Sequence, residues 1–383
     1  MAPQPERILT TPTPPINLQP TNQWHEHLTI DLIMTVLHRT FLHPFIAWII
    51  VLCLRAQATP YTHPAFIVAS SYAAFLTVFD IAFMISDRIA FGIPRDVDLA
   101  EEVVVVTGGA SGLGRTIAQV YGLRGVSVAV LDVAEEESVK KGWAEGDVGG
   151  VEYYRCDVGV RDEVERVVER IVKDLGTPTV LINCAATRIN GQPLLSLSAE
   201  AFQKTIQTNL IAVFHTCQVF LPHMLSSENG GTIVNASSVL GQLCAAGLAD
   251  YSASKAGLSA LHRTLEAELR VAGNGDKVKT VLVETGQIST SLFKSVQTPN
   301  SFFAPVLEPI RVAQEIVSMV DKGKSGVIRL PTFAMLASFY AVLPAGVKQI
   351  ARYLSGIDSA VARASFRTEQ DDAERPELQV GEK

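Results

Sequence analysis

Cysteine is scarce and widely spaced in this sequence of 383 residues. The five cysteines are Cys53, Cys156, Cys184, Cys217 and Cys244, and no CxxC pair occurs among them. An odd number at such spacing argues against a disulfide framework and against a structural zinc site. The pattern indicates free thiols in a reducing compartment, so we expect the main folded part of the chain to face the cytosol.

Basic runs are also missing. The chain has 32 Lys and Arg residues against 39 Asp and Glu residues, for a formal net charge of −7. This composition excludes the basic surface that nucleic-acid binding requires. Hydrophobic residues make up 48% of the chain, and the mean hydropathy of +0.23 is high for a purely soluble protein.

Two long apolar stretches, residues 41–54 and 65–86, lie near the start of the chain. As helices they would be about 21 Å and 33 Å long at 1.5 Å per residue, against a bilayer hydrocarbon core of about 30 Å. We therefore expect residues 30–87 to form a membrane anchor, either as two spanning helices or as a hairpin that dips into one leaflet. The short first stretch, Pro44 and Asp80 favour the hairpin. A pair of soluble core helices is the remaining alternative.

Between residues 98 and 330 the pattern changes to strands that alternate with helices. Strands are predicted at residues 102–107, 126–131, 151–156, 179–183, 232–236, 278–283 and 326–330, and helices at residues 112–124, 161–174, 199–225, 250–271 and 309–322. Alternation of this kind indicates an α/β fold with a doubly wound parallel sheet.

Three segments flank these two regions. The Pro-rich residues 1–29 and the acidic residues 366–383 are expected to be disordered. Residues 331–365 form an apolar C-terminal segment.

A glycine-rich loop, TGGASGLG at residues 107–114, joins the first predicted strand to the first helix. Its glycines permit a tight turn and a close backbone approach to pyrophosphate, and the helix N-terminus offers unpaired N–H groups. Asp132 ends the second strand, where a carboxylate would bind both ribose hydroxyls and repel a ribose phosphate, which favours NAD over NADP. The alternatives are a turn without ligand at the loop and a capping role for Asp132. Arg115 is a cation that would instead favour a phosphate.

Tyr251 and Lys255 are four residues apart at the start of a predicted helix, so both lie on one helical face. An ammonium beside a phenol lowers the pKa of the phenol, which gives a proton donor and acceptor usable near neutral pH. Ser238 follows the fifth predicted strand, where its hydroxyl could hydrogen-bond a carbonyl or an alkoxide. Asn209 lies within the long helix predicted at residues 199–225.

Taken together, these motifs resemble the short-chain dehydrogenase/reductase superfamily. The matching elements are the TGGASGLG loop, the CDV segment, the strand ending in LIN, the QTNL helix, the NASS strand end and YSASK, in the family's order over residues 98–330. The resemblance implies one Rossmann domain with a seven-stranded sheet and a catalytic tetrad of Asn209, Ser238, Tyr251 and Lys255. It implies that Tyr251 is the acid/base and that Ser238 orients the substrate. It also implies that Lys255 lowers the pKa of Tyr251 and binds the nicotinamide ribose, and that Asn209 helps to hold a water in a proton relay.

The motifs and the resemblance also single out a set of cofactor-binding residues in addition to Tyr251 and Lys255. They are Thr107, Gly108, Ser111, Gly112, Leu113, Gly114, Asp132, Asp157, Val158, Asn183, Ala185, Gly286, Ile288 and Thr290. Asp157 would contact the adenine edge, with a role in its own turn as the alternative.

Two positions depart from the family pattern. Ala186 stands where the family usually has Gly, which narrows the backbone options beside the cofactor. Thr285 stands before Gly286, where the family usually has Pro.

The layout of anchor, α/β domain and apolar C-terminal segment is similar to that of the membrane-bound retinol and hydroxysteroid dehydrogenases of the endoplasmic reticulum and lipid droplets. In that group the C-terminal segment helps to shape a lipophilic substrate site, and a homodimer through the helices of Asn209 and Tyr251 is common in the family. The resemblance thus implies interconversion of a hydroxyl and a carbonyl on a retinoid, steroid or long-chain alcohol with NAD or NADP. The alternatives are an epimerase or a soluble-substrate reductase on the same scaffold, and a membrane or lipid-droplet protein that keeps the fold only for binding.

Overall fold

The structure is a computed structural model that describes residues 28–139, 149–293, 296 and 298–361. The disorder expected for residues 1–29 and 366–383 thus concerns residues outside the described ranges, apart from Leu28 and Thr29. Thr29 caps the first helix, because its hydroxyl accepts a hydrogen bond from the amide of Leu32 at 3.3 Å.

Seven parallel strands form one sheet, as the alternating pattern predicts. They are β1 (Val103–Thr107), β2 (Ser127–Asp132), β3 (Val151–Arg155), β4 (Val180–Asn183), β5 (Gly231–Ser238), β6 (Val278–Thr285) and β7 (Gly326–Leu330). Their order across the sheet is β3-β2-β1-β4-β5-β6-β7, and every neighbouring pair is parallel. The predicted Rossmann-type doubly wound sheet is therefore confirmed.

Burial along each strand follows its place in the sheet. All residues of the inner strand β1 are buried, which is why its sequence is an uninterrupted apolar run rather than an alternating one. The outermost strands β3 and β7 alternate between buried and more exposed residues. The central strands therefore carry the fold's main apolar core.

Helices cover both faces of the sheet. One face carries α4 (Gly112–Gly122) and α10 (Pro309–Asp321), and the other carries α5 (Arg161–Asp174), α7 (Ala212–Ser226) and α9 (Ala249–Val271). Two short helices, α6 (Ala199–Ile206) and α8 (Leu240–Leu243), precede α7 and α9, and the chain continues past β7 with α11 (Ala334–Tyr340) and α12 (Ala345–Ser355).

The helix predicted at residues 199–225 is not continuous in the structure. A π-helical turn, Gln207–Ile211, separates α6 from α7. A π-turn inserts one extra residue into a helical turn, and such single turns occur inside α-helices, often at functional sites. Asn209 lies at the centre of this turn.

An N-terminal hairpin precedes the sheet. It consists of α1 (Ile30–Arg39), α2 (Pro44–Ala56) and α3 (Pro64–Phe91). Helix α2 packs along α3 through Ala47, Val51, Ala73 and Leu76, and the indole of Trp48 donates a hydrogen bond to Thr77 at 3.0 Å.

The hairpin exposes its apolar surface. The 28 residues of α3 are long and apolar enough to cross a membrane, and only 11% of its most apolar window is buried. This exposure disfavours a soluble core helix. Helices α1 and α2 meet the same criterion only together, and they are bent by 49°, so length and composition fit both a hairpin within one leaflet and two spans.

The hairpin is joined to the domain at opposite edges of the sheet. Beyond α3, Arg95 forms a buried ion pair with Glu102 at 2.7 Å and donates to the hydroxyl of Thr232 at 2.9 Å. These residues lie at the amino end of the strands. The first residues of α1, in contrast, contact segments that follow the carboxyl ends of β6 and β7.

Candidate active site

The glycine-rich loop between β1 and α4 is packed so closely that two of its glycines leave no space for a side chain. A Cβ on Gly108, whose φ is +66°, would lie 2.7 Å from the Cα of Ala185. A Cβ on Gly114 would lie 2.5 Å from the carbonyl oxygen of Gly108. Gly112, with φ +53°, adjoins the methyl group of Thr290. The loop therefore forms a backbone cradle between Ala185 and Thr290.

The cradle has the donors that a pyrophosphate needs. Ser111 is the N-cap of α4, yet its side chain makes no capping hydrogen bond. The exposed hydroxyl of Ser111 and the first backbone N–H groups of α4, near Leu113, could thus bind a phosphate. Thr107 supports the loop from below, since its hydroxyl accepts from the amide of Ala185 at 3.3 Å and lies 3.5 Å from the side chain of Asn183.

Asp132 ends β2 directly beside this cradle. Its two carboxylate oxygens accept hydrogen bonds from the amides of Ala110 at 3.0 Å and Ala134 at 3.2 Å. The carboxylate thus both caps the turn after β2 and braces the glycine-rich loop. Its negative charge lies where the sequence predicts the adenosine ribose.

Asp157 follows β3 and is engaged in its own turn. One carboxylate oxygen accepts from the amide of Gly159 at 2.9 Å, as in the alternative that the sequence left open. Val158 beside it is buried. Contact of either residue with an adenine ring stays a prediction.

Asn209 lies on the π-turn with its side chain fully buried. Its amide oxygen accepts from the backbone N–H of Thr187 at 2.9 Å, and its amide nitrogen donates to the hydroxyl of Ser254 at 3.1 Å. Both ends of the side chain are therefore used to join the loop after β4 to α9. Each end of the amide keeps one further hydrogen-bonding position, and contact with a water in a proton relay stays a prediction.

Ser238, Tyr251 and Lys255 converge at the carboxyl end of β5. Ser238 is the last residue of this strand rather than the first residue beyond it, and its hydroxyl donates to the carbonyl of Thr285 at 3.2 Å. The ammonium of Lys255 donates to the carbonyl of Ala236 at 2.7 Å and lies 5.7 Å from the ring centre of Tyr251. All three side chains are almost completely buried.

Burial shifts the pKa values of Tyr251 and Lys255. Desolvation raises the pKa of Tyr251, and a hydrogen bond with Ser238 opposes the shift. Desolvation also lowers the pKa of Lys255 from 10.5 to about 8. The sequence argument assumed that Lys255 lowers the pKa of Tyr251. In this structure desolvation is the largest influence on the Tyr251 pKa, because the side chain is almost completely buried.

The segment after β6 packs against the residues after β7. The amide of Gly286 donates to the carbonyl of Leu330 at 2.7 Å, and a Cβ on Gly286 would lie 2.9 Å from the ring of Pro331. Ile288 is buried, and its carbonyl accepts from the amide of Thr290 at 2.8 Å. We call residues 286–290 the β6 loop.

The two departures from the family pattern cost little backbone energy. Among the described residues, Ala58 and Cys244 are the non-glycine residues with positive φ, so Ala186 has no left-handed strain. Thr285 extends β6, and its carbonyl accepts from the amide of Val239 at 3.1 Å and from Ser238. These contacts of the Thr285 carbonyl join the ends of β5 and β6.

The sequence analysis placed the C-terminal segment near the substrate site but named no individual residue that covers Tyr251. The ring of Phe293 meets the ring of Tyr251 edge-on at 6.1 Å, and Val361 belongs to the same buried cluster. The C-terminal segment is held there by Arg352, which pairs with Asp358 and donates to the carbonyl of Leu243 at 2.8 Å. These contacts join residues far apart in the chain, and no spacing pattern could have indicated them.

Comparison with known proteins matches this geometry to a family. A profile of the short chain dehydrogenase family matches residues 102–301. Short-chain dehydrogenase/reductase 3 of Bos taurus is 32% identical over 275 residues, which are 71% of this chain and 89% of that protein. Retinol dehydrogenase 10-B of Xenopus laevis is 31% identical over 265 residues, 61% of this chain and 77% of that protein. An uncharacterized oxidoreductase of Saccharomyces cerevisiae is 28% identical over 257 residues, 66% of this chain and 82% of that protein.

The chain belongs to the short-chain dehydrogenase/reductase family and is an oxidoreductase. The family uses NAD or NADP, and the resemblance to its retinol dehydrogenase group is confirmed.

Proposed function

We propose that this enzyme interconverts a hydroxyl and a carbonyl on a lipophilic substrate, with Tyr251 as the acid/base. The observation that carries the proposal is the buried convergence of Ser238, Tyr251 and Lys255 at the carboxyl end of β5. A phenol, a hydroxyl and an ammonium within one desolvated pocket can hold a substrate oxygen and move its proton.

Each side chain has a separate task in the proposed reaction. The bound nicotinamide supplies or accepts the hydride. The Tyr251 oxygen takes the proton of an alcohol in oxidation and returns it in reduction. The Ser238 hydroxyl, which donates to the carbonyl of Thr285 in this structure, would turn to donate to the same substrate oxygen. Lys255 would bind the nicotinamide ribose, and its charge would favour the phenolate once the cofactor fixes the ammonium. Asn209 would hold the π-turn main chain in place for the water of a proton relay.

We propose NAD as the preferred cofactor. The carboxylate of Asp132 beside the cradle would accept hydrogen bonds from ribose hydroxyls and would repel the additional phosphate of NADP. Arg115, on α4, is a cation that would instead favour the additional phosphate of NADP. The remaining contacts would come from the glycine-rich loop, from Asp157 and Val158 at the adenine, from Asn183 and Ala185 after β4, and from Gly286, Ile288 and Thr290 of the β6 loop.

A lipophilic substrate is supported by the residues around Tyr251. Phe293, Leu248 and Val361 are buried with it in one apolar cluster, and such a lining suits an apolar molecule. The relative from Xenopus laevis is named a retinol dehydrogenase, and retinoids, steroids and long-chain alcohols share this chemistry.

We further propose that the hairpin attaches the enzyme to the endoplasmic reticulum or to lipid droplets, with the dehydrogenase domain in the cytosol. The exposed apolar surface of α2 and α3 supports this attachment. An enzyme at the membrane surface meets lipophilic substrates where they are concentrated. A homodimer through α7 and α9 is proposed by likeness to the family.

The test is NADH formation by the full-length protein in detergent, next to a Tyr251→Phe variant. Retinol, steroid alcohols and long-chain alcohols would be offered with NAD and with NADP. We expect turnover by the wild type with NAD preferred, and a loss of at least about a hundredfold in the variant, because the proton transfer it removes contributes about 10²–10⁴-fold. Equal turnover by both proteins would refute the role of Tyr251. No turnover by either, with NADH still bound, would favour a protein that keeps the fold only for binding.

A further inference from the structure

One buried carboxylate joins the hairpin to the dehydrogenase domain near the candidate active site. Asp31, in the first turn of α1, is only 4% exposed. One of its oxygens accepts from the backbone N–H of Thr332 at 2.7 Å, and the other lies 3.0 Å from the guanidinium of Arg311. The neighbouring amide of Ile30 donates to the carbonyl of Phe302 at 3.0 Å.

The contact of Asp31 with Thr332 connects α1 to the β6 loop through the residues that follow β7. Thr332 lies between Pro331 and Phe333, and a Cβ on Gly286 would approach these two side chains to 2.9 Å and 3.3 Å. The main chain at Leu330 is bonded to the amide of Gly286. A shift of Thr332 would therefore move the surface on which Gly286 rests.

The main-chain contact of Ile30 with Phe302 leads to the same loop from the other side. Phe302 lies five residues before Leu307, whose amide donates to the carbonyl of Gln287 at 2.9 Å and whose carbonyl accepts from the amide of Ser289 at 2.8 Å. Helix α1 thus contacts both chain segments that enclose residues 286–290. The contacts with Thr332 and Phe302 are hydrogen bonds that involve the main chain, and the contact with Arg311 is an ion pair.

We propose that Asp31 is a positioning residue for the nicotinamide half of the cofactor, so that the hairpin is a working part of the cofactor site as well as an anchor. The proposal rests on the proposed function in assuming that the β6 loop meets the nicotinamide. A buried carboxylate without its partners is costly, so the domain segments that satisfy Asp31 are held in one arrangement. That arrangement presets the β6 loop before the cofactor binds.

The experiment compares two ligands that share the adenine half. Full-length protein in detergent would be titrated with NADH and, separately, with ADP-ribose, which lacks the nicotinamide. The variants are Asp31→Ala, which removes the contacts with Thr332 and Arg311, and Asp31→Asn, which keeps an acceptor for Thr332 but loses the charge toward Arg311. Asp80→Ala and Asp80→Asn are matched controls, because Asp80 is an exposed carboxylate on α3 of the same hairpin.

We expect Asp31→Ala to weaken NADH binding by about threefold to tenfold, a part of what a charge-assisted hydrogen bond contributes. Asp31→Asn should lie between Asp31→Ala and the wild type. ADP-ribose should bind all Asp31 variants as it binds the wild type, and the Asp80 variants should bind both ligands normally. A residue that only stabilises the fold would not separate the two ligands.

Two outcomes would overturn the proposal. Asp31→Ala could bind NADH as tightly as the wild type does, or it could lose NADH and ADP-ribose binding equally. A wild-type protein that binds neither ligand would instead contradict the proposed function, so the two failures are distinguishable.

Discussion

Removing Arg95 from its buried ion pair with Glu102 should destabilise the fold, and the surroundings of the pair set the size of the loss. Both side chains are 3% exposed, and the guanidinium donates to both carboxylate oxygens, at 2.7 Å and 2.9 Å. Arg95 also donates to Thr232, and Thr179 donates to Glu102. Arg95→Met would leave this carboxylate buried with one neutral hydroxyl donor.

Breaking one partner of such a pair costs about 3–5 kcal/mol, because an uncompensated charge stays buried. For a domain of this size, each kcal/mol lowers the melting temperature by roughly 2–4 °C, so the expected loss is about 6–20 °C. The assay is thermal unfolding of the full-length protein in detergent, followed by intrinsic fluorescence at one fixed heating rate. Arg155→Met is the control, since its ion pair with Glu135 is 62% and 74% exposed and should be worth less than about 1 kcal/mol.

The double variant Arg95→Met/Glu102→Leu separates charge from packing. Removing both charges should recover part of the lost stability, because the cost lies in the unpaired carboxylate. The reasoning fails if Arg95→Met melts no lower than Arg155→Met. It also fails if the double variant is no more stable than the single one.

The remaining predictions concern the cofactor site. Asp132→Asn keeps an acceptor for the loop but loses the charge, so the preference for NAD over NADP in kcat/KM should fall by about tenfold or more, worth about 1.4 kcal/mol. Asp157→Asn, at the end of the next strand, is its control, and equal effects of both would refute the role of Asp132. NADH affinity should also depend on Lys255, whose pKa in the free protein is about 8. NADH would bind the protonated, charged form of Lys255. Its affinity should therefore be constant below pH 8 and fall by up to about tenfold per pH unit above it. Lys255→Arg should remove this dependence over pH 7–9.5, since guanidinium stays charged; an unchanged pH profile would exclude Lys255 as the titrating group.

The sheet and its order of elements could be predicted because local sequence decides them. Val103–Thr107 is apolar on both faces, as an inner parallel strand requires. The loop after it needs glycine at Gly108 and Gly114 for reasons of space that hold in any such fold. The positions of Ser238 and Tyr251 also followed, because the carboxyl ends of parallel strands meet at one edge.

Other features could not be predicted from local sequence, because they depend on contacts between distant residues or on competing energies. The π-turn around Asn209 interrupts a helix that was predicted to be continuous. The spacing of Tyr251 and Lys255 identified the pair, but the direction of the Tyr251 pKa shift depends on burial, which spacing does not measure. The contact between Asp31 and Thr332 joins residues that are 301 positions apart.

Together, the two attachments of the hairpin restrict its orientation relative to the dehydrogenase domain. Arg95 binds at the amino end of the strands, and Asp31 binds beyond their carboxyl end. One attachment would leave the domain free to swing about a hinge, whereas two at opposite edges of the sheet remove that rotation. The carboxyl edge with Tyr251 therefore keeps one orientation relative to α1 and α3. The exposed apolar faces of α11 and α12 follow β7 on this same edge, so the apolar surfaces of the hairpin and of the C-terminal segment are both attached around the edge that carries Tyr251.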